Sequence, residues 1–365
     1  MSKAAELAAL IANVNKGSSL ANKNLIINGG MTVAQRSTSE ASKTTVDGYV
    51  CLDRWSIQTG SVGTFTHSQS SDVPAGYGFS NSVKFDCTTA DASPDYGLIR
   101  QRFEGQNLQV LNKGTSSAVP VTLSFWVKSN LTGNFQVNLQ DIDTSGSRHI
   151  GATYSISSAN TWEKKEITFA GDTTGALDND NACSFNIEWW LAAGSTYNSG
   201  SVPTSWAAEA NGNRAAGLNV SIGSSTSNDF YITGCQLEIG EKATEFEHEP
   251  FSVTLKKCER YFEKTHEMSG NYLTSTSPAI SIRDGTASTV ARYYYFSYKT
   301  RKRATGPTIT TLDNNAASGK VRIDSTSNIS TEIFGSGETG WCFYPDTSIS
   351  HYGINSISWS SDSEL

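Results

Sequence analysis

Two segments near the middle of the chain show the alternation of apolar and polar residues that predicts β-strands. In residues 119–129 every second residue is apolar, and in 134–140 Phe135, Val137 and Leu139 alternate with four amide side chains. Successive side chains of a strand point to opposite faces of its sheet. The pattern therefore predicts a sheet with one face in the core and the other face in solvent.

Further short segments of this kind, separated by turn-forming residues, extend the pattern across residues 24–249. They are 150–156, 166–169, 185–191, 218–222 and 229–239. In the last segment we expect Tyr231, Thr233, Cys235, Leu237 and Ile239 on one side. Gly234 inside it predicts a bulge or a close approach of the backbone. Eight or more strands predict a large jelly-roll β-sandwich over 24–249.

After Pro250 a second series of strands begins, which predicts a smaller C-terminal antiparallel β-sandwich in residues 250–365. Its strands are expected at 279–283, 289–298, 308–312, 321–324, 329–334, 340–344 and 353–359. The segment 255–264 slightly favours a helix, because its apolar residues are three and four positions apart. Alternation within 289–298 leaves Tyr293 and Tyr295 at a surface, as a subunit interface or a receptor site.

The N-terminal residues predict one short helix, over 3–15, in an otherwise all-β chain. Leu7, Ile11 and Val14 continue a stripe of apolar residues at spacings of three and four. A helix of about a dozen residues is marginal alone in water, so its stripe must be buried against another surface. We therefore expect residues 1–23 to be a helix and linker that attach or oligomerise the protein.

Composition excludes several classes of partner. The net charge of −7 argues against nucleic acid or an anionic membrane as the main partner. No apolar run approaches the ~18 residues of a membrane-spanning helix. The six cysteines form no CxxC pair and the sequence shows no signal peptide, which favours reduced, buried thiols.

Motifs for catalysis are missing from the sequence, and we expect no enzymatic activity. The five histidines have no HExxH or HxH spacing, and neither a phosphate-binding loop nor a GxSxG motif occurs. Acidic pairs such as Asp141 with Asp143 also arise by chance in polar loops. The acidic loop 178–181 leaves calcium possible, but it lacks a complete ligand spacing, so we predict no metal site and no cofactor.

The aromatic residues indicate a candidate binding surface. Trp189 and Trp190 are adjacent, so on a strand Trp189 faces the core and Trp190 shares the polar face with Asn186 and Glu188. An exposed ring among amide and carboxylate groups suits stacking on a sugar ring, with Trp126 and Trp206 as further members. The alternative is that loops or a neighbouring subunit cover this face, and that the rings only pack there.

Three sequence motifs resemble those of bacteriophage tail-fibre and related virion structural proteins. They are GCQLEIGEKATEFE at 234–247 followed by CERYF at 258–262, NLIINGGMTVAQR at 24–36 with DRW at 53–55, and RATGPTIT at 303–310. In those proteins the first motif ends a jelly roll similar to carbohydrate-binding modules. The resemblance implies a virion protein that is synthesised in the cytoplasm of a bacterial host. The resemblance also implies that Asp53-Arg54-Trp55 is a signature of the fold and not a ligand site.

Together these observations predict a non-enzymatic phage virion protein, a subunit of a tail fibre, spike or appendage, that binds a host surface glycan or protein. Its other partners would be virion proteins and copies of itself, with a trimer favoured. The alternative is a capsid or tail decoration or scaffold protein whose aromatic faces make protein contacts. A glycan-degrading tailspike is a third hypothesis, for which the sequence offers no catalytic set. Jelly rolls serve all three roles.

Overall fold

The computed structural model describes most of the chain as antiparallel β-structure, which confirms the all-β prediction. It describes residues 3, 22–91, 93–144, 147–265, 280–288, 293–312, 318–322, 328–345 and 351–365. The predicted roles of Leu7, Ile11 and Val14 therefore concern residues outside the described part of the chain. No helix in that part is long and apolar enough to cross a membrane.

The chain divides into two compact units. The first comprises Met1–Thr32, Ser39–Val50 and Trp55–Glu249, and the second comprises Val33–Thr38, Cys51–Arg54 and Pro250–Leu365. The main break follows Glu249, where the sequence pattern places the start of the second series of strands. The sequence pattern did not anticipate that two short segments from within 24–249 group with the second unit.

The first unit is a sandwich of two antiparallel sheets. The first sheet has the strand order β1-β4-β5-β13-β7-β10, and the second has the order β12-β9-β8-β11-β6-β3-β2. The strands are β1 (Ser39–Lys43), β2 (Val46–Gly48), β3 (Ser56–Gly60), β4 (Thr64–Ser70), β5 (Ser82–Thr89), β6 (Tyr96–Glu104), β7 (Val121–Ser129), β8 (Gly133–Asp141), β9 (Arg148–Ile156), β10 (Glu163–Phe169), β11 (Cys183–Ala193), β12 (Ala207–Ala208) and β13 (Asp229–Ile239). Helix α1 (Ser195–Asn198) and 3-10 turns at Gly105–Asn107, Gln109–Leu111, Asn211–Asn213 and Ile222–Ser224 lie in the connections.

Aromatic rings from both sheets fill the core between them. Phe125 of the first sheet meets Tyr154 and Trp189 of the second, at centroid distances of 5.0 and 5.9 Å. Trp55 packs on Trp189 at 5.5 Å, and both are fully buried, as their sequence pattern predicted. Such pairs add to the free energy gained from burial of the rings.

The alternating segments form the predicted strands with one exception, and the polar face of one strand is not exposed as predicted. Residues 218–222 do not form a strand, and the chain there makes a loop and then a 3-10 turn. The amide-bearing face of β8 is not in solvent, since Gln136, Asn138 and Gln140 are 0, 1 and 7% exposed. Period-two alternation correctly separates the two faces of a strand, but it does not reveal what covers the polar face.

Strand β13 contains the predicted bulge. Its register with β7 shifts between Thr233 and Gln236, and Gly234 has a φ of +62°. The bulge resets the alternation, so the prediction that five odd-numbered residues share one side is wrong. Before the bulge Phe230 and Ile232 face the core, and Tyr231 pairs across the outer face with Lys128 and Lys84.

The second unit is a smaller antiparallel β-structure. Its strands are β14 (Phe262–Lys264), β15 (Ile280–Ser288), β16 (Tyr294–Ser297), β17 (Thr308–Leu312), β18 (Lys320–Arg322), β19 (Asn328–Ser336), β20 (Gly340–Pro345) and β21 (His351–Asp362). The sheet order is β14-β21-β18-β19-β20-β16, and β15 and β17 also pair with β21. Helix α2 (Phe251–Glu259) begins directly after Pro250, so the segment 255–264 is helical first and extended afterwards.

Alternation along β16 places its aromatic residues as predicted. Tyr294 belongs to the core of the second unit with Trp341, Phe343 and Trp359. Tyr293 and Tyr295 are 58 and 60% exposed. Their exposure is therefore confirmed, and their role as an interface stays a prediction.

Ion pairs hold the segments Val33–Thr38 and Cys51–Arg54 within the second unit. Arg36 forms an ion pair with Asp362 at 2.8 Å, and Arg54 forms one with Glu364. The Asp53 carboxylate accepts a hydrogen bond from the Gln35 backbone N–H at 3.1 Å. Burial raises the pKa of Asp53 to about 6, against the opposing effect of Arg36. The Asp53-Arg54 pair is thus a packing element of this unit.

The buried imidazole of His67 predicts a pH-dependent stability for the first unit. His67 is 1% exposed on β4, packs on Phe85, and neither ring nitrogen has a hydrogen-bond partner among the described residues. Burial lowers its pKa from 6.5 to about 3. Below pH 6.5 the unfolded chain therefore takes up a proton that the folded chain does not. As the pH is lowered through this range, the free energy of unfolding falls by at most ~1.4 kcal/mol per pH unit.

We expect His67→Leu to remove this contribution. In urea titrations at several pH values between about 6 and 4, the free energy of unfolding of the variant should fall less steeply than that of the wild type. Phe65→Leu, at a 3% exposed position of the same strand, is the control, because it carries no titrating group. Equal pH slopes for His67→Leu and the wild type would contradict the prediction.

Candidate functional site

The outer face of the second sheet, where the sequence placed the binding surface, is buried. Asn186, Glu188 and Trp190 are 3, 0 and 0% exposed. Trp190 packs with Leu98 and Ala215, and the ring of Tyr197 lies 5.2 Å from the ring of Trp190. The prediction of an exposed Trp190 flanked by exposed polar groups is therefore wrong.

The connection between β11 and β13 covers this face and satisfies its polar groups. Asn138 donates to the Arg214 carbonyl at 2.6 Å, and the Gly217 N–H donates to Gln136 at 2.7 Å. The Arg214 guanidinium forms an ion pair with Glu188 at 2.6 Å and lies over the Trp190 ring at 5.1 Å. A long loop can bury a polar face in this way because its own backbone and side chains supply the hydrogen bonds.

Trp206 and Trp126 do not join Trp190 in one surface. Trp206 donates to the Ala170 carbonyl at 2.7 Å, and its ring lies 6.1 Å from that of Phe185. Trp126 lies in β7 of the other sheet, on the outer face with Thr122, Ser124 and Lys128. Of the five residues predicted as one site, Asn186, Glu188 and Trp190 share the covered face, and Trp206 and Trp126 lie elsewhere in the first unit.

The outer face of the first sheet carries a different group of aromatic rings. Tyr77, from the loop between β4 and β5, is 50% exposed, and its ring lies 4.3 Å from the partly exposed ring of Trp126. The partly exposed Trp162 packs edge-on against Tyr231 at 6.1 Å. We call this surface the aromatic face, formed by Tyr77, Trp126, Trp162 and Tyr231 together with Asp72 and Lys128.

Asp72 and Lys128 contact the Trp162–Tyr231 pair of rings. The Asp72 carboxylate accepts hydrogen bonds from the Lys128 ammonium and, at 2.9 Å, from the Trp162 indole N–H. Partial burial favours the protonated acid, but these hydrogen bonds outweigh it and lower the pKa of Asp72. The Lys128 ammonium lies 4.3 Å from the centre of the Tyr231 ring. Apolar ring faces thus stand beside a carboxylate that can accept hydrogen bonds.

Gly234 provides the space in which the aromatic face packs. A Cβ at this position would lie 2.6 Å from the Phe79 ring and 3.1 Å from the Trp126 ring. Phe79 in turn packs on Phe246 and His248, at 5.0 and 5.2 Å. The bulge therefore allows the loop that carries Tyr77 to lie against β13 and β7.

Sequence patterns found only part of this face. Trp126 was predicted as a member of the binding surface, and it lies partly exposed on an outer face, although on the other sheet from Trp190. Tyr77, Trp162, Tyr231, Asp72 and Lys128 were missed. The alternation of Trp126 and Lys128 on β7 was the available signal, but the loop that brings Tyr77 and Asp72 to them leaves no periodic pattern.

The acidic pair Asp141 and Asp143, and the loop 178–181 considered for calcium, make contacts within the protein. Asp141 accepts hydrogen bonds from the Lys113 ammonium at 2.5 Å and from the Thr144 hydroxyl at 2.6 Å. Asp143 accepts the Asp178 N–H at 2.8 Å. Among the described residues, no group of three or more His, Cys, Asp and Glu side chains is arranged to hold a metal ion.

Comparison with known proteins finds no matching family model and no matching curated protein sequence. Among solved structures, the enzymatically active domain of tailspike protein 4 of bacteriophage CBA120 is 14% identical at a TM-score of 0.32, over 60% of this chain and 22% of that chain. The CBM22-2 xylan-binding domain of Paenibacillus barcinonensis Xyn10C is 16% identical at 0.29, over 51% of this chain and 92% of that one. The N-terminal cellulose-binding domain of Cellulomonas fimi β-1,4-glucanase C is 9% identical at a TM-score of 0.30, over 57% of this chain and 98% of that chain. These scores are low, so the proposals below depend on the residues of this chain.

Gly234→Ala should destabilise the first unit and disturb the aromatic face. Alanine is strained at positive φ, and its Cβ would overlap Phe79 and Trp126. Gly240→Ala is the matched control, because Gly240 also has a positive φ, of +125°, but a Cβ there meets nothing within 4 Å. Urea unfolding should show Gly234→Ala to be less stable than Gly240→Ala by about 1–3 kcal/mol. Equal losses would show that the packing against Gly234 is unimportant.

Trp190→Ala should act on stability, since the ring is buried. The loss of a fully buried large aromatic ring costs about 3–5 kcal/mol. Trp126→Ala, which removes a partly exposed ring, should cost less. Denaturant unfolding of both variants tests this, and a Trp190→Ala variant as stable as the wild type would contradict the buried placement.

Proposed function

We propose that this chain is a non-enzymatic glycan-binding protein of a bacteriophage particle, and that the aromatic face of the first unit is its binding surface. The observation that carries the binding role is the contact of Tyr77 with Trp126 at 4.3 Å, on the face where the Asp72 carboxylate accepts hydrogen bonds from Lys128 and Trp162. Aromatic ring faces stack on the apolar faces of sugars, while carboxylates accept hydrogen bonds from sugar hydroxyls.

The accessibility of this face supports the proposal over the surface first considered around Trp190. Tyr77 is 50% exposed, whereas Trp190 has no exposed area. The rings of the aromatic face are also held from behind, since Trp126 packs next to Gly234 and Trp162 rests on Tyr231. Rings fixed in this way lose little conformational entropy when a ligand binds.

The place in a phage particle is supported by the sequence motifs at 24–36, 53–55, 234–247, 258–262 and 303–310. In this proposal the protein is a subunit of a tail fibre, spike or appendage, with other virion proteins and its own copies as partners. Immunogold labelling of phage particles with an antibody against the purified chain tests this part. Labelling at the tail supports it, and particles that lack the chain would contradict it.

A structural role in a decoration or scaffold protein is the second candidate, and one observation favours it. In the second unit Tyr293, Tyr295 and Phe334 are 58, 60 and 67% exposed, and Tyr293 contacts Phe334 at 5.0 Å. An exposed group of aromatic side chains is also typical of protein–protein contacts.

Tyr77→Ala should weaken glycan binding without unfolding the protein. A stacked aromatic contact is worth about 0.5–1.5 kcal/mol, so the affinity for a bound glycan should fall by roughly 2- to 13-fold. The measurement is a binding titration of the full-length chain against each glycan that it retains on an array of bacterial surface polysaccharides. Val110→Ala is the control, because Val110 is a 55% exposed apolar residue in a 3-10 turn outside the aromatic face. Unchanged affinity in Tyr77→Ala for every retained glycan would exclude the aromatic face as the site.

A further inference from the structure

We infer that the ligand of the aromatic face is an uncharged glycan that spans at least two sugar rings. This inference rests on the proposed function and adds the chemical class and minimum size of the ligand. It follows from how the charges of this face are paired and from where its rings stand on neighbouring strands.

Each lysine of this outer face already has a carboxylate partner. Lys84 pairs with Asp86 at 3.0 Å, Lys164 pairs with Glu166 at 2.8 Å, and Lys128 pairs with Asp72. These pairs lie on both sides of the rings, since Lys84 is opposite Tyr231 and Lys164 is opposite Trp126 in the sheet registers. An acidic sugar would have to compete with these carboxylates for the ammonium groups.

A further carboxylate adds negative charge to the same face. Asp229 lies two residues before Tyr231 on β13 and accepts a hydrogen bond from its hydroxyl at 3.3 Å. With Asp72, Asp86 and Glu166 it makes four carboxylates beside the three lysines Lys84, Lys128 and Lys164. The face therefore carries more carboxylates than ammonium groups, which repels an anionic polymer at low salt. Hydroxyl groups of a neutral sugar, in contrast, can donate to the carboxylates without a charge penalty.

The spacing of the rings sets the minimum length of the ligand. Trp126 is opposite Thr233, and Tyr231 is opposite Lys128, so Trp126 and Tyr231 are diagonal neighbours on adjacent strands. Diagonal neighbours are about 7–8 Å apart. Tyr77 packs on Trp126, and Trp162 packs on Tyr231, which is only 8% exposed. The accessible rings therefore form two stacking positions, one at Tyr77 and Trp126 and one at Trp162. One sugar ring cannot stack on both positions, whereas an oligosaccharide can.

The test is a titration of the full-length chain against purified bacterial surface polysaccharides of known charge, with a soluble neutral β-glucan and polygalacturonate included. Each titration is made at low and at high salt, and each is repeated with Tyr77→Ala. We expect Tyr77-dependent binding to neutral polymers, with an affinity that changes less than about twofold between the two salt concentrations. Monosaccharides of the bound polymer should compete at least tenfold less well than its oligosaccharides.

Three outcomes separate this inference from the proposed function. Tyr77-dependent binding only to anionic polymers would overturn the inference and leave the proposed function standing. Equal competition by monosaccharides would overturn the two-ring requirement. Binding to no polymer, or binding that does not depend on Tyr77, would remove the proposed function and this inference with it.

A charge variant tests the physical cause directly. Asp72→Asn removes the carboxylate that pairs with Lys128 and keeps an oxygen that accepts from Trp162, so binding of polygalacturonate relative to the neutral glucan should rise several-fold. Asp47→Asn is the matched control, because it removes the same charge at a site in the second sheet. The Asp47 side chain is 67% exposed and pairs with Arg100. An equal change in both variants would show that net charge alone, and not the pairing at Lys128, controls the preference.

Discussion

The bulge at Gly234 is the constraint on which the arrangement of the first unit depends. Strand β13 lies between β5 and β7 in the first sheet, and it must fill the core with one face and support the loop after β4 with the other. A regular strand would keep one alternation along its whole length. The residue with a φ of +62° resets that alternation, so Phe230, Ile232, Cys235 and Leu237 all reach the core. Glycine is needed because the strand bends there and because Phe79 and Trp126 occupy the space of a side chain.

The two outer faces of the sandwich are treated in opposite ways, and this difference locates the candidate site. The amide-rich face of the second sheet is covered by the chain's own loop, and Arg214 supplies the counter-charge for Glu188. The face of the first sheet keeps Tyr77 half exposed against Trp126. The polar pattern in the sequence is stronger on the covered face. Only a face left open can exchange water for a ligand.

Ion pairs join segments of the second unit that are far apart in the sequence. Arg36 and Arg54 come from short segments early in the sequence, and they pair with carboxylates close to the C-terminus. A buried charge without its partner is costly, so these pairs specify which segments must come together more than they add to stability. They give the Asp53-Arg54 motif a role in folding. The exposed rings around Tyr293 lie outside these ion pairs.

The sequence alone determined the all-β class and the strands whose alternation is strong, such as β7, β8 and β11. It also determined the bulge and the separation of core rings such as Trp189 from the opposite face. These properties are local, because they depend on residues two positions apart in one strand. Which outer face is open was decided only by the tertiary structure. Trp190 is buried and Tyr77 is exposed because of loops that arrive from distant parts of the chain, and a loop's path over a sheet depends on contacts that no local period records.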